Sequence, residues 1–316
     1  MVGDLMKGRN EDLSLQPVPE PARPPQHYRR WLILGAGGQL GSEWVEWMKR
    51  SGADYLGLTR SELDITDKTE VERALSDYDP DVVINCTAYT KVDHAEGEIE
   101  SASSINVDAA GHLAALCAAD DRMLVHYSTD YVFPGRMEDR VRHPAGYPVD
   151  FPPEPVNSYG RTKWLGEQAV RSAGGPHLIL RVSWLCGKSG RNFVHTMLRL
   201  AEERDRLTVV NDQFGTPTFT APVVHNTLVL LEQGARNTWH VTSRGETTWY
   251  HFASLIFSLA KKNVEVVPVP SSEFPTRAKR PAWSLLDTGS LSGLPGNRLL
   301  PWQQETEILL KSLKTG

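Results

Sequence analysis

The sequence predicts a doubly wound α/β fold, in which parallel strands alternate with helices and a smaller lobe follows toward the C-terminus. From Trp31 onward, short apolar runs alternate with stretches of helical periodicity. Several runs, such as Val82–Ile84, are apolar without alternation, which is typical of parallel strands covered by helices on both faces. A glycine-rich turn, Gly35–Gly41, lies where the first strand gives way to the first helix. Together these observations predict a sheet that binds ligands at its carboxyl edge.

The elements follow in chain order. Strands are predicted at six apolar runs: Trp31–Leu34, Asp54–Leu58, Val82–Cys86, Met123–Tyr127, Leu178–Val182 and Leu207–Val210. Helices are predicted where apolar residues recur at a helical period: Ser42–Arg50, Lys68–Ser76, Ile105–Ala119, Ser158–Ser172 and Asn192–Glu203. Beyond about residue 186 the spacing loosens and turn signals such as Gly215–Pro217 become frequent, which predicts a smaller lobe over the edge of the sheet.

Composition excludes several classes of protein. The 34 basic and 39 acidic side chains among 316 residues leave a formal charge of −5, which argues against a nucleic-acid binder. The three cysteines have no CxxC spacing and are interpreted as buried thiols in a reducing compartment: Cys86, Cys117 and Cys186. The histidines show no metal-ligand spacing. No apolar run approaches the roughly 20 residues that span a bilayer. The first residues carry charges and no apolar core of a secretory signal, so a cytoplasmic protein without a membrane partner is expected.

The glycine turn indicates a site for a dinucleotide. Gly35, Gly38 and Gly41 let the backbone turn sharply, bring its amides against a diphosphate and pack the helix closely on the strand. The turn follows the first strand directly and precedes a helix, which is the context that such a motif needs. The sequence therefore predicts a Rossmann-type sheet with a nicotinamide cofactor at this junction.

The end of the second strand indicates which cofactor. Thr59 and Arg60 stand where an NAD site would usually carry an acid. A guanidinium at Arg60 can pair with an adenosine 2′-phosphate, which favours NADPH, although NADH and a merely solvated Arg60 both stay open. Asp64 and Ile65 could either cap the next helix or flank the adenine, and a cap at Thr66 or Asp67 fits the sequence independently.

The chain is expected to divide into three regions. Five prolines from Pro17 to Pro25 rule out a regular helix, so residues 1–27 are predicted to be a mobile, proline-rich extension, either a tethering arm or a tail without a role. Residues 28–185 are predicted to form an NADP-binding domain to which later segments return. Residues 186–316 are predicted to be mostly a substrate-binding lobe.

A tyrosine and a lysine lie one helical turn apart. Tyr159 and Lys163 begin a predicted helix and project from one face of it. An adjacent ammonium is expected to stabilise the phenolate and bring the pKa of the phenol closer to neutrality. Thr129 ends the predicted fourth strand and would present a hydroxyl at the same sheet edge. The hydroxyl could hold a ketone oxygen while the phenol gives it a proton.

These motifs in this order resemble the extended short-chain dehydrogenase/reductases and, more narrowly, the dTDP-4-dehydrorhamnose reductase family. The resemblance runs from about Trp31 to near the C-terminus. It is carried by Gly35–Gly41, Asn85–Tyr89, Ser128–Phe133, Tyr159–Lys163, Arg181–Trp184, Asn192–Phe193, Asn211–Pro217 and Arg280–Ser284.

The resemblance implies roles for individual residues. Tyr159 would be the proton donor, Lys163 its partner and ribose anchor, and Thr129 the hydroxyl that polarises the carbonyl. Asn106 would support the site or bond only to backbone, and Trp184 would contact substrate or fill the core. Contacts to the nucleotide sugar are implied for Thr129, Asp130 and Trp184. Contacts to the cofactor are implied for Gly35, Gly38, Gln39, Leu40, Gly41, Asp64, Ile65, Thr87, Ala88, Tyr89, Tyr159 and Lys163.

The implied reaction is NADPH-dependent reduction of the C4 ketone of dTDP-4-dehydro-L-rhamnose to dTDP-L-rhamnose. Related dehydratases carry Asp–Glu where this chain has Asp130–Tyr131, and the missing second carboxylate favours simple ketone reduction. A 4-ketoreductase for another nucleotide-linked deoxysugar and a non-catalytic NADP-binding regulatory subunit remain as alternatives.

The resemblance also implies a magnesium-linked homodimer. Glu43 matches one expected acid, but Ala221 stands where the second is expected. Magnesium needs several hard oxygen ligands, so no metal site is predicted, and a homodimer stays open.

Overall fold

The computed structural model describes residues 16–314 as a parallel sheet sandwiched by helices with a lobe on its carboxyl edge. The strands are β1 Arg30–Leu34, β2 Asp54–Leu58, β3 Val82–Asn85, β4 Met123–Thr129, β5 His177–Val182, β6 Leu185–Cys186, β7 Arg206–Val210, β8 Phe214–Gly215, β9 Thr218–Phe219, β10 Asn237–His240, β11 Thr247–Thr248 and β12 Glu265–Val269. The α-helices are α1 Gln39–Ser51, α2 Lys68–Tyr78, α3 Val92–Ala95, α4 Ile99–Ser103, α5 Ala110–Ala119, α6 Met137–Arg142, α7 Ser158–Ser172, α8 Phe193–Glu203, α9 Thr220–Glu232, α10 Trp249–Ala260, α11 Gly289–Ser292 and α12 Trp302–Lys314. No helix of the described part is long and apolar enough to cross a bilayer.

The central sheet confirms the predicted doubly wound fold. Its six parallel strands have the order β10-β5-β4-β3-β1-β2, so the winding reverses between β1 and β3. Alternate residues of β1 face opposite layers: Trp31 and Ile33 pack toward α1 and α9, whereas Leu32 and Leu34 pack toward α2 and α5. Both faces are therefore covered, which explains the apolar runs without alternation.

The sixth strand of the sheet was missed by the sequence prediction. β10, which begins at Asn237, pairs with β5, whereas the predicted strand at Leu207–Val210 lies in β7 and pairs with β12 outside the central sheet. In β7 Leu207 and Val209 are buried and Thr208 is exposed, which is the pattern of a strand with one covered face. β10 is short and half polar, so its sequence carries a weak strand signal.

The predicted helix at Ile105–Ala119 is not one continuous α-helix. A π-helical segment, Ser104–Ala109, connects α4 to α5. This π-helical segment lies against α7, and Gly166 of α7 lets the two backbones approach closely. A Cβ on Gly166 would come within 2.0 Å of the Asn106 carbonyl oxygen. Close approach of the two helices thus accompanies the local change in winding.

Part of the proline-rich extension lies against the folded chain. The Trp47 indole N–H donates to the Ala22 carbonyl oxygen at 2.9 Å, and the Ala22 N–H donates to Nδ1 of His225 at 3.2 Å. Gln16 exchanges hydrogen bonds with Gln304 of α12. Residues 16–27 therefore contact α1, α9 and α12, and the rest of the predicted mobile extension lies outside the described residues.

Candidate active site

A cavity of about 760 Å³ opens where the winding of the sheet reverses. Ligands of doubly wound folds bind at this crevice between the carboxyl ends of the strands. Seven predicted cofactor residues line it: Gly35, Gly38, Arg60, Asp64, Ile65, Thr87 and Ala88. Six further lining residues are Gly37, Thr59, Ser61, Leu63, Cys86 and Ile105.

The glycine turn fits a diphosphate. Gly35 adopts φ +77°, which favours glycine, and a Cβ on Gly41 would lie 2.1 Å from the Gly35 carbonyl oxygen. Gly38 precedes the 13-residue α1, and no side chain of the described part caps this helix. The first amides of α1 are thus left to an anionic ligand.

Six predicted cofactor residues do not line this cavity: Gln39, Leu40, Gly41, Tyr89, Tyr159 and Lys163. Leu40 is buried in the core, Gly41 packs on Gly35, and the Gln39 side-chain amide donates to the Leu185 carbonyl oxygen at 2.9 Å. The Tyr89 hydroxyl donates to Glu98 at 2.7 Å.

The turn after β2 combines charges of both signs. Arg60 is exposed on the cavity, and Glu62 accepts hydrogen bonds from the Thr59 N–H and hydroxyl at 2.8 and 2.7 Å. Hydrogen bonds from Thr66 hold the pKa of Asp64 below its usual value. The helix cap is Asp67, which accepts from the first amides of α2, so Asp64 is left to line the cavity.

Thr129 and Tyr159 meet at the end of β4. The Asn157 side chain caps α7 by accepting from the Gly160 N–H at 2.8 Å, which fixes the first turn that carries Tyr159. The Tyr159 ring packs edge-on against Tyr131 at 5.7 Å. Thr129 accepts from the Tyr131 N–H at 3.2 Å and donates its hydroxyl to Asp130 at 3.0 Å.

The expected acidification of Tyr159 is wrong for this structure. Burial raises the pKa of the phenol to about 12, and the Asp130 charge adds to that rise against a lowering hydrogen bond from Thr129. The Lys163 ammonium instead donates to the Tyr127 carbonyl oxygen at 2.7 Å. Desolvation and the Asp130 charge therefore outweigh the hydrogen bond from Thr129, and the phenol keeps its proton at neutral pH.

Lys163 is almost fully enclosed, with 2% of its surface exposed. Burial lowers its pKa to about 8, while the carboxylate of Glu167 opposes that shift. The ammonium is thus still the main form at neutral pH. Its bond to Tyr127 also joins α7 to β4.

A buried ionic cluster lies behind Lys163. Glu167 accepts two hydrogen bonds from Arg181 at 2.8 Å, one from Ser128 at 2.6 Å and one from Arg171 at 2.8 Å. Desolvation alone would raise the pKa of Glu167, but the bonds and charge of Arg181 lower it overall. The sequence analysis missed Glu167, although its position four residues after Lys163 placed it on the same helix face.

Asn106 holds the loop after β3. Its side chain accepts from the Tyr89 N–H at 2.9 Å and donates to the Tyr89 carbonyl oxygen at 3.2 Å and to Thr162 at 3.0 Å. Asn106 thus bonds both to the backbone of Tyr89 and to the side chain of Thr162, and its support of the catalytic site stays a prediction. The contact links α7 to the segment that carries Thr87 and Ala88.

A second, larger cavity of about 960 Å³ lies between the sheet edge and the lobe. Tyr131, Gln213, Trp249 and Arg280 line it, together with apolar residues of α8 and β7. The Arg280 guanidinium pairs with Asp93 at 2.5 Å. Thr129, Asp130 and Trp184 do not line the cavity, although Thr129 and Asp130 adjoin Tyr131.

Asp130 is buried beside Thr129. Burial raises the pKa of its carboxyl to about 6, against lowering hydrogen bonds from Ser284 and Thr129. Because the carboxylate is desolvated, it titrates in a range where most aspartates are fully ionised.

The residues expected for magnesium do not fit that ion. Glu43 is buried and accepts the Thr220 hydroxyl at 2.9 Å, and Ala221 offers no ligand. Residues 16–314 contain no group of three or more His, Cys, Asp or Glu side chains that could hold a metal ion. Hard oxygen ligands are therefore too few here.

A doubly wound parallel sheet with a cavity at its reversal point, and with Thr129, Tyr159 and Lys163 around the carboxyl end of β4, is the arrangement of a Rossmann-type NAD(P)-binding reductase. A family model described as RmlD substrate binding domain matches residues 29–315. The chain belongs to this RmlD family.

Relatives of known name agree with this assignment. The chain is 36% identical over 301 residues to dTDP-4-dehydrorhamnose reductase from Burkholderia thailandensis, covering 89% of this chain and 98% of the relative. It is 38% identical to dTDP-4-keto-6-deoxy-D-glucose reductase from Streptomyces niveus, covering 81% and 88%. The crystal structure of dTDP-4-dehydrorhamnose reductase from Bacillus anthracis in complex with NADP is similar, with 38% identity, TM-score 0.84, and coverage of 90% and 99%.

Proposed function

We propose that the protein reduces the C4 ketone of dTDP-4-dehydro-L-rhamnose to dTDP-L-rhamnose with NADPH. One observation carries the proposal. Thr129 and Tyr159 adjoin Tyr131, which lines the larger cavity, and β4 lies next to β3, which leads directly into the residues Cys86–Ala88 that line the smaller one. The Tyr159 hydroxyl would thus lie between the two cavities, where a cofactor in one and a substrate in the other approach each other. The named relatives support the same substrate class.

In this proposal Tyr159 gives its proton to the oxygen at C4. Bound NADPH supplies a hydride to the C4 carbon. The raised pKa keeps the phenol protonated before the reaction, as a proton donor requires. The Thr129 hydroxyl orients the ketone oxygen, and the positive charge of Lys163 stabilises the phenolate that remains on Tyr159.

The proposed cofactor is NADPH. The uncapped start of α1 would hold the diphosphate, and Arg60 would pair with the 2′-phosphate at the mouth of the cavity. The NADP complex of the B. anthracis relative supports this choice. NADH remains the second candidate because the carboxylate of Glu62 lies in the same turn.

Tyr159→Phe tests the proposed function. We expect turnover of dTDP-4-dehydro-L-rhamnose, followed by the loss of nicotinamide absorbance, to fall by about 10²- to 10⁴-fold, the usual contribution of a general acid. Binding of NADPH should persist, because Tyr159 does not line that cavity. Tyr78→Phe is the matched control, since the Tyr78 hydroxyl bonds to Asp54 at the amino end of β2, whereas the site lies at the carboxyl ends of the strands. Wild-type turnover by Tyr159→Phe would refute its role as proton donor.

A second candidate function is reduction of a different dTDP-linked 4-keto sugar. The name of the S. niveus relative favours it, because that protein is a dTDP-4-keto-6-deoxy-D-glucose reductase. Parallel assays with the two keto sugars and identification of each product decide between them. Binding of NADPH without reduction of either sugar would point instead to a regulatory subunit.

A further inference from the structure

The backbone of Trp184 is strained. This residue follows β5 and has φ +43°, in the left-handed region that bulky side chains rarely adopt. Such a conformation persists only where the surroundings fix it, and it is concentrated at functional sites. The contacts that hold the side chain therefore identify residues with a role in the site.

Two surfaces clamp the Trp184 ring. Gly215 leaves just enough room for the ring, since a Cβ there would come within 2.7 Å of Trp184 Cε2. The Trp249 ring stacks on it at 3.6 Å between centroids and 10° between planes. Aromatic pairs in proteins prefer offset or edge-on arrangements at longer distances, so the surrounding packing imposes this face-to-face pair.

Trp249 is itself fixed from the cavity side. Its indole N–H donates to Gln213 at 3.2 Å, and the Gln213 amide donates to Ser271 at 2.9 Å. Phe193 packs against the Trp249 ring at 4.7 Å. Trp249, Gln213 and Phe193 all line the larger cavity, whereas Trp184 lies behind them.

We infer that Trp249 is a positioning residue that holds Trp184 and forms with it one wall of the nucleotide-sugar site. The inference rests on the proposed function for the identity of that ligand. A two-layer aromatic wall is rigid, so it fixes the distance between the bound sugar and Tyr159. Removal of the Trp249 ring releases Trp184 from its strained conformation and loosens the sugar, while the cofactor cavity, which shares no lining residue with it, is unaffected.

Trp249→Leu, Trp249→Phe and the matched control Trp239→Leu test the inference. Trp239 lies on β10, and its indole N–H donates to the Arg236 carbonyl oxygen. For Trp249→Leu we expect the KM for dTDP-4-dehydro-L-rhamnose to rise about tenfold or more and kcat to fall, with the KM for NADPH changed by less than about twofold. The conservative variant Trp249→Phe should retain most of the wild-type kcat and KM for the sugar. Circular dichroism of the coupled indole pair should disappear in Trp249→Leu and persist in Trp239→Leu.

Gly215→Ala perturbs the same ring through a second contact. The three atoms nearest to its Cβ would all belong to Trp184, so we expect the same loss of the coupled signal and the same rise in KM. This variant keeps the inference testable if Trp249→Leu fails to fold. Sugar kinetics within about twofold of wild type in either folded variant, or an equal change in the NADPH KM, overturns the inference.

Failure of the proposed function can be told apart from failure of this inference. If the wild-type protein reduces no keto sugar, dTDP itself is the probe, and its affinity is measured by calorimetry. Weaker dTDP binding in both Trp249→Leu and Gly215→Ala, together with loss of the circular dichroism of the coupled indole pair, supports the inferred aromatic wall. Unchanged dTDP binding in that case overturns it.

Discussion

Neutralising Glu167 should destabilise the protein far more than neutralising an exposed acid. Glu167→Gln keeps the volume of the side chain and an oxygen for Ser128, but it removes the negative charge and turns the oxygen that accepts from Arg171 and Arg181 into an amide donor. Arg171 is partly exposed and can regain water, whereas Arg181 is 2% exposed and would stay buried without its counter-ion. Breaking a buried pair in this way costs about 3–5 kcal/mol.

Thermal and urea unfolding measure the loss. At about 2–4 °C per kcal/mol for a domain of this size, the melting temperature should fall by roughly 10 °C. Glu203→Gln is the matched control, because Glu203 pairs with Arg199 four residues earlier on the exposed face of α8. It should cost less than about 0.5 kcal/mol.

A Glu167→Gln variant within about 1 kcal/mol of wild type would refute the reasoning. It would mean that the other neighbours of Arg181 compensate its charge. Those neighbours are the Val149 carbonyl oxygen, the ring nitrogen of His240 and the face of Phe133.

Two further predictions concern the cofactor and the buried aspartate. Arg60→Ala should raise the KM for NADPH about tenfold and leave that for NADH nearly unchanged in steady-state assays, because a charge-assisted hydrogen bond to the 2′-phosphate is lost; equal effects on both cofactors would contradict the assignment. Asp130 binds its proton more tightly in the folded state, with a pKa of about 6 against 3.8, so its contribution to stability is present at low pH and is lost as pH rises through about 6. Melting temperatures from pH 4 to pH 7 should show this decline in wild type and not in Asp130→Asn, and parallel curves would rule it out.

The sequence predicted those parts of the molecule that depend on local pattern. The strands of the central sheet other than β10 are confirmed, because β1, β3, β4 and β5 are apolar runs buried on both faces and the half-buried edge strand β2 is still a recognisable apolar run. Of the caps that the sequence left open, Asp67 is the one observed, and a cap was predictable because capping depends on residues within one helical turn. The glycine turn and Arg60 likewise line the predicted cavity.

Features that depend on packing could not be predicted in this way. The pKa of Tyr159 is set by how completely the folded chain removes water from it, which a Tyr–Lys spacing does not show. The stack of Trp184 on Trp249 joins residues 65 positions apart, as 249 − 184 gives. The short strand β10 forms because β5 offers it a partner.

β10 follows the lobe segments β6–β9 in the chain but belongs to the central sheet, and this limits where the protein can be cut into fragments. A fragment that stops at residue 185 keeps the glycine turn and the Tyr159 helix but leaves the β5 side of the sheet without its neighbour. An exposed, apolar strand edge of this kind pairs with strands of other chains and promotes aggregation. Domain exchange or truncation at this boundary would therefore produce insoluble material, and hybrid enzymes should be joined after His240 instead.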